Sequence, residues 1–172
     1  MRTAATRRRL CAALVLLPWS AVRAAGPRAP APSVQGVVTK VIDGDSLWLQ
    51  PASGAGIEVR LRDMDAPEIC QEWGVEAKAA LERVALGKPA TLTASGRDSY
   101  GRTIGLLLVD GVNLSKWMVG EGHAWSHRTR YDRGPLVKEE RMALALRRGL
   151  HATADPVLPK DFRKAHGPCR KS

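Results

Sequence analysis

Between Gln35 and Val109 the chain is cut into short β-branched or alternating runs, each closed by turn residues. Val37, Val38, Val41 and Ile42 run into Asp43-Gly44-Asp45, and Ser46 to Leu49 stops at the Pro/Ser/Gly loop over 51–56. Ile57 to Leu61 alternates apolar and polar side chains, and Pro89 to Thr93 and Arg102 to Val109 add two more runs, the last turned by Asp110-Gly111. Runs this short, with a period of two, are half-buried strands. Helical spacing appears only between and after them. Ala77, Ala80, Leu81 and Val84 share a face within Val75–Leu86, and Gly87 caps its end. Asn113 N-caps a short helix carrying Leu114, Trp117 and Met118, and Ala124-Trp125 reads as a last strand. Pro135 opens a final helix with Met142, Ala145 and Leu146 on its apolar side and Gly149 beyond it. Strands with helices inserted between and after them predict a small α+β domain built around a β-barrel.

The flanks read differently. Residues 1–24 carry a basic start (Arg7, Arg8, Arg9), a short apolar stretch from Leu10 to Val22, and small residues around Val22-Arg23-Ala24, the pattern of a cleaved signal peptide. They hold five Arg and no acid, so their removal lowers the formal charge from +10 to +5. What remains is moderately basic, and this weakens any argument for a polyanionic partner made from charge alone. A Pro/Ala-rich linker fills 25–35, the domain spans 36–155, and 156–172 is a Pro-broken basic tail. The expected location is secreted or periplasmic, with no membrane contact after cleavage. Cys11 leaves with the signal, so Cys70 and Cys169 remain as an even pair. In an oxidising compartment they read either as a bridge pinning the tail or as two separate thiols. A bridge would bring the tail near Glu68, two residues from Cys70.

Acidic residues gather at two turns, Asp43-Gly44-Asp45-Ser46 and Asp63-Met64-Asp65-Ala66-Pro67-Glu68, each at the end of a strand. Arg60, Arg62, Arg97 and Arg102 surround them. Converging carboxylates repel unless a cation sits between them, and oxygen-only ligands select a hard ion such as Ca²⁺ or Mg²⁺. Guanidinium groups match phosphate oxygens in bidentate geometry. Carboxylates, a metal and two Arg are what hydrolysis of a phosphodiester requires. The same residues, read by spacing alone, are also ordinary turns and solvated ion pairs.

Three motifs together resemble the staphylococcal nuclease (thermonuclease) family: Val-Ile-Asp-Gly-Asp-Ser at 41–46, Arg-Leu-Arg-Asp-Met-Asp-Ala-Pro-Glu at 60–68, and Asp-Ser-Tyr-Gly-Arg at 98–102. The resemblance runs in order over about 36–150. It implies a five-stranded OB-type β-barrel with about three helices. It implies that Asp45, Asp65 and the backbone carbonyl of Ala66 bind Ca²⁺, that Glu68 is the general base or organises water, and that Arg60 and Arg102 hold the phosphate. The implied activity is hydrolysis of DNA and RNA with low sequence specificity, leaving 3′-phosphates, by a monomer. Ala66 stands where the family has Thr, and Ser99 where the type member has Lys. Tyr100 is retained to meet a neighbouring phosphate. The loop His127-Arg128-Thr129-Arg130-Tyr131 replaces a tyrosine-rich segment, and Arg128, Arg130 and Arg133 are either phosphate contacts or a solvated basic loop. The rival reading of the whole chain is a noncatalytic nucleic-acid-binding module on the same barrel.

Overall fold

The computed structural model describes residues 32–167 and Cys169; the expected signal peptide over 1–24 and most of the expected linker over 25–35 lie outside these residues. Five strands form a closed barrel. They are β1 (Ser33–Val41), β2 (Ser46–Pro51), β3 (Ile57–Leu61), β5 (Pro89–Arg97) and β6 (Thr103–Val109). The order is β3-β2-β1-β5-β6, and a β3–β6 pairing closes the ring. That closure is parallel, pairing Val59 with Thr103, Arg60 with Ile104 and Leu61 with Gly105. The other pairings in the ring are antiparallel. Alternation decides what faces inward: Leu47, Leu49, Val59, Leu61, Leu92 and Leu107 fill the barrel almost without exposure.

Short pieces complete the fold. Strands β4 (Met64–Asp65) and β8 (Trp125–Ser126) pair antiparallel outside the barrel. Strand β7 (Val112–Asn113) extends the β6 edge. Helix α1 (Gly74–Ala85) buries Ala77, Ala80, Leu81 and Ala85 against the barrel, and α2 (Leu114–Gly120) buries Leu114, Met118 and Val119. The Asn113 side chain accepts from the Lys116 amide, the expected N-cap.

Three elements depart from the sequence expectation. Strand β5 continues to Arg97, through a bulge between Ala94 and Gly96 and four exposed residues that carry no alternation. Helix α3 (Val137–Ala145) buries Glu140 and Ala143, while Met142 and Leu146 are exposed. Glu140 takes the buried place because Arg128 pairs with it at 2.5 Å and the Ser126 amide donates to it at 2.9 Å. The tail is not simply Pro-broken: past a 3₁₀ turn (Gly149–Ala152) it forms α4 (Pro159–His166). Cys70 and Cys169 are bonded, and the Gln71 side-chain Nε2 donates to the Val157 carbonyl at 2.6 Å. Among the described residues no helix is long and apolar enough to cross a membrane.

Candidate active site

The barrel brings its acidic turns to one end. Asp43 folds the β1–β2 turn back on itself, its carboxylate accepting from the Asp45 amide at 3.0 Å. Gly44 is needed there because a Cβ would stand 2.7 Å from the Ala66 Cβ and 2.9 Å from the Ala77 Cβ. The turn therefore lies directly on the second acidic loop and on α1. Asp45 is buried and fully engaged: its Oδ1 accepts from the Ser46 hydroxyl at 2.9 Å and from Arg60 Nη1 at 2.6 Å, and its Oδ2 accepts from the Ala66 amide at 3.2 Å. Gly74 fixes the end of the second loop, since a Cβ would stand 2.0 Å from the Glu68 carbonyl oxygen.

Arg60, on the face of β3 opposite to Val59 and Leu61, bridges the two turns. Its Nη2 donates to Asp65 Oδ1 at 2.9 Å while Nη1 holds Asp45. Burial disfavours its charge, but Asp45, Asp65 and Asp43 together outweigh that and raise its pKa. Arg102 comes from the start of β6. Its Nη1 donates to the Ser46 hydroxyl at 3.0 Å, and its Nε to Asp98 at 2.7 Å. Asp98 also accepts from the Tyr100 and Arg102 amides, 3.0 Å each, so the 98–102 turn is a cradle that aims Arg102. These hydrogen bonds hold the Asp98 carboxyl below its usual range against the effect of desolvation.

Asp45, Arg60, Asp98 and Arg102 line one cleft of about 750 Å³, together with Asp43, Ala66, Glu68, Tyr100 and Arg163. Asp45, Arg60, Ala66, Glu68 and Arg102 thus share one cleft, and Asp65, outside its lining, is joined to it through Arg60 and Arg163. Tyr100 is exposed at its rim, with Arg102 over its ring at 5.5 Å. Arg128 and Arg130 are not in the cleft lining. Arg128 is committed to Glu140, and Arg130 lies exposed over the Tyr131 ring at 5.5 Å. His123 stacks on Trp73 and accepts from its indole N–H at 3.2 Å, a structural use of both rings.

Asp43 is pushed up to about 7, first by burial and then by repulsion from Asp45. Asp65 is raised by the same two causes, with Arg60 and Arg163 opposing them. Burial and repulsion from Asp45 thus both disfavour the charged forms of these acids, and a cation beside them would favour those forms. An all-oxygen donor set fits a hard divalent ion in kind. Among the described residues no three acidic, His or Cys groups stand close enough to hold one as arranged; the carboxylates rest on arginines instead.

Four contributors were missed in the sequence. Asp43 and Asp98 lie inside the motifs but read as turn residues. Ser46 gives no signal of its own as an anchor for Arg102. Arg163 is 95 residues from its partner Glu68, and only the expected Cys70–Cys169 pairing pointed there.

The Staphylococcal nuclease homologue family model matches residues 58–152. The chain belongs to the staphylococcal nuclease family. Several of its homologues carry nuclease names. An "uncharacterized endonuclease" of Escherichia coli O157:H7 is 34% identical over 132 residues, which is 76% of this chain and 85% of that protein. Another from Haemophilus influenzae is 32% identical over 128 residues, 74% of this chain and 71% of that one. A "probable staphylococcal-like nuclease CAN1" of Oryza sativa subsp. japonica is 40% identical over 107 residues, 62% of this chain, and the match spans 32% of the rice protein. For a staphylococcal nuclease homologue, the closed five-stranded barrel with its helices is the expected α+β architecture.

Proposed function

We propose that the protein is an exported, Ca²⁺-dependent nuclease that hydrolyses phosphodiester bonds of DNA and RNA with low sequence specificity and leaves 3′-phosphates. The observation that carries this is the convergence of Arg60 and Arg102 on Asp45-Ser46, beside Glu68 in one cleft, with Asp65 held by Arg60. The nuclease names of its homologues support the reaction class. The signal-like residues 1–24 and the Cys70–Cys169 bond support export to an oxidising compartment, where the protein acts as a monomer away from the membrane.

The residues divide the work. Arg60 and Arg102 grip the phosphate and offset the charge that builds on its oxygens as water attacks phosphorus. Asp98 and Ser46 hold Arg102 in aim before substrate arrives, so little reorganisation is required at the reacting step. Asp45, Asp65 and the Ala66 carbonyl would hold Ca²⁺, which supplies Lewis-acid polarisation of the phosphate. Glu68 takes the proton of the attacking water. The phosphorus–O5′ bond breaks, and the leaving oxygen is protonated to a 5′-hydroxyl.

The test is cleavage of denatured DNA and of RNA by the purified protein, with Ca²⁺ and then with chelator, followed by analysis of product ends. Background cleavage in both conditions removes the nuclease reading. Glu68→Ala should abolish cleavage while leaving nucleic-acid binding intact. If the native protein binds but never cleaves, the noncatalytic module is the correct description.

A further inference from the structure

Helix α4 is held to the candidate active site by two clamps, and both grip the loop that carries Glu68. Beyond its C-terminus, Cys169 is bonded to Cys70. Before its N-terminus, the Val157 carbonyl accepts from Gln71 Nε2 at 2.6 Å, and the same Gln71 side chain accepts from the Glu68 amide at 3.2 Å. Between the clamps Arg163 extends into the cleft. Its Nη1 donates to Glu68 Oε1 at 2.5 Å, and its Nη2 stands 3.7 Å from Asp65 Oδ2. The Arg163 side chain is 40% exposed, so the pair itself contributes little to stability. Its effect falls on the carboxylates it touches.

We infer that Arg163 is a further residue of this site, a positioning residue that neutralises Asp65 and Glu68 and thereby sets how tightly they take up a divalent ion. This rests on the nuclease reading above, in which Asp65 is a ligand and Glu68 the water-orienting acid. Arg60 already occupies one oxygen of Asp65, and Arg163 faces the other. An ion that takes Asp65 must share it with a guanidinium that two clamps prevent from drifting away. By reciprocity, the ion must loosen the hold of Arg163 on the loop as much as Arg163 weakens the ion. Without an ion, the guanidinium keeps Asp65 and Glu68 from repelling one another. The disulfide makes the arrangement conditional on an oxidising environment, because reduction frees one of the two clamps.

The experiment is calorimetric titration of Ca²⁺ into purified, oxidised protein without nucleic acid. It compares the native protein with Arg163→Gln and Arg163→Lys. Removing one positive charge beside the ion should tighten Ca²⁺ binding about tenfold in Arg163→Gln, and the Ca²⁺ concentration giving half-maximal cleavage should fall by the same factor. Arg163→Lys keeps the charge and should stay close to native. Reduction of the disulfide should tighten binding in the native protein and leave Arg163→Gln unmoved. Equal or weaker Ca²⁺ binding in Arg163→Gln overturns the inference while leaving the metal site standing. Absence of Ca²⁺ binding in every form defeats both together. An equal response to reduction in native and Arg163→Gln protein shows that the clamp does not act through Arg163 and overturns the inference in its conditional form.

Discussion

Arg128 and Arg130 stand two positions apart on one basic loop, and their surroundings give them different work. Arg128 is paired with Glu140, whose side chain is 7% exposed, while Arg130 faces solvent. Truncating one partner of a buried pair strands the other charge. Arg128→Ala should therefore cost about 2–3 kcal/mol of stability, seen as a lower melting midpoint, with the salt dependence of nucleic-acid binding unchanged. Arg130→Ala should leave the midpoint alone and reduce that salt slope by about 1 if the loop tracks a phosphate backbone. An unchanged midpoint in Arg128→Ala would contradict the structural role given to its pair. At this scale the site was legible wherever a residue sits in a dense local motif. Asp45, Arg60, Glu68 and Arg102 are found in one cleft, with Asp65 bonded to Arg60 beside it, because short strands carry their turns to the same end of the barrel. Arg163 was not legible, since its contact depends on a closure across most of the domain.

The barrel strands could be read from short β-branched or alternating runs closed by turn residues, because half-buried strands favour such side chains and turns punctuate them. The end of β5 could not, since its last residues are exposed on both faces. Helix α3 misled for a different reason. Hydropathy ranks Met142 and Leu146 above Glu140 and cannot see that Arg128 and the Ser126 amide satisfy the carboxylate. Helix α4 is a basic eight-residue segment, too short to be stable alone, and its anchors are tertiary. That makes the Cys70–Cys169 bond the element's main support. It spans 99 residues, so it removes much freedom from the unfolded chain as well as holding the tail. A protein with Cys169→Ser should lose about 2–4 kcal/mol of stability relative to the oxidised native form, measured by denaturant unfolding under identical buffer conditions. Equal unfolding midpoints would mean that the bond restrains little beyond the tail.

For the molecule as a whole, the acidic end of the barrel links stability to pH and to the divalent ion. Without an ion, folded Asp43 keeps its proton to about 7, whereas the unfolded chain releases it near 3.8. Between those values the folded state binds more protons than the unfolded state, so raising the pH through this window favours unfolding. Asp65, also raised, acts in the same direction. Asp98 is lowered and acts the other way, but only below its ordinary range, outside this window. In chelator, the melting midpoint of the native protein should therefore fall between pH 5 and 7.5 relative to Asp43→Asn, in which that carboxyl no longer titrates. Saturating Ca²⁺ should flatten the native curve, because an ion beside these acids favours their charged forms and removes the proton preference. The comparison is made on the difference between the two proteins, so titrations elsewhere cancel. If native and Asp43→Asn curves run parallel in chelator across this range, the folded state does not raise the Asp43 carboxyl, and neither its burial nor its nearness to Asp45 acts on it as the structure requires.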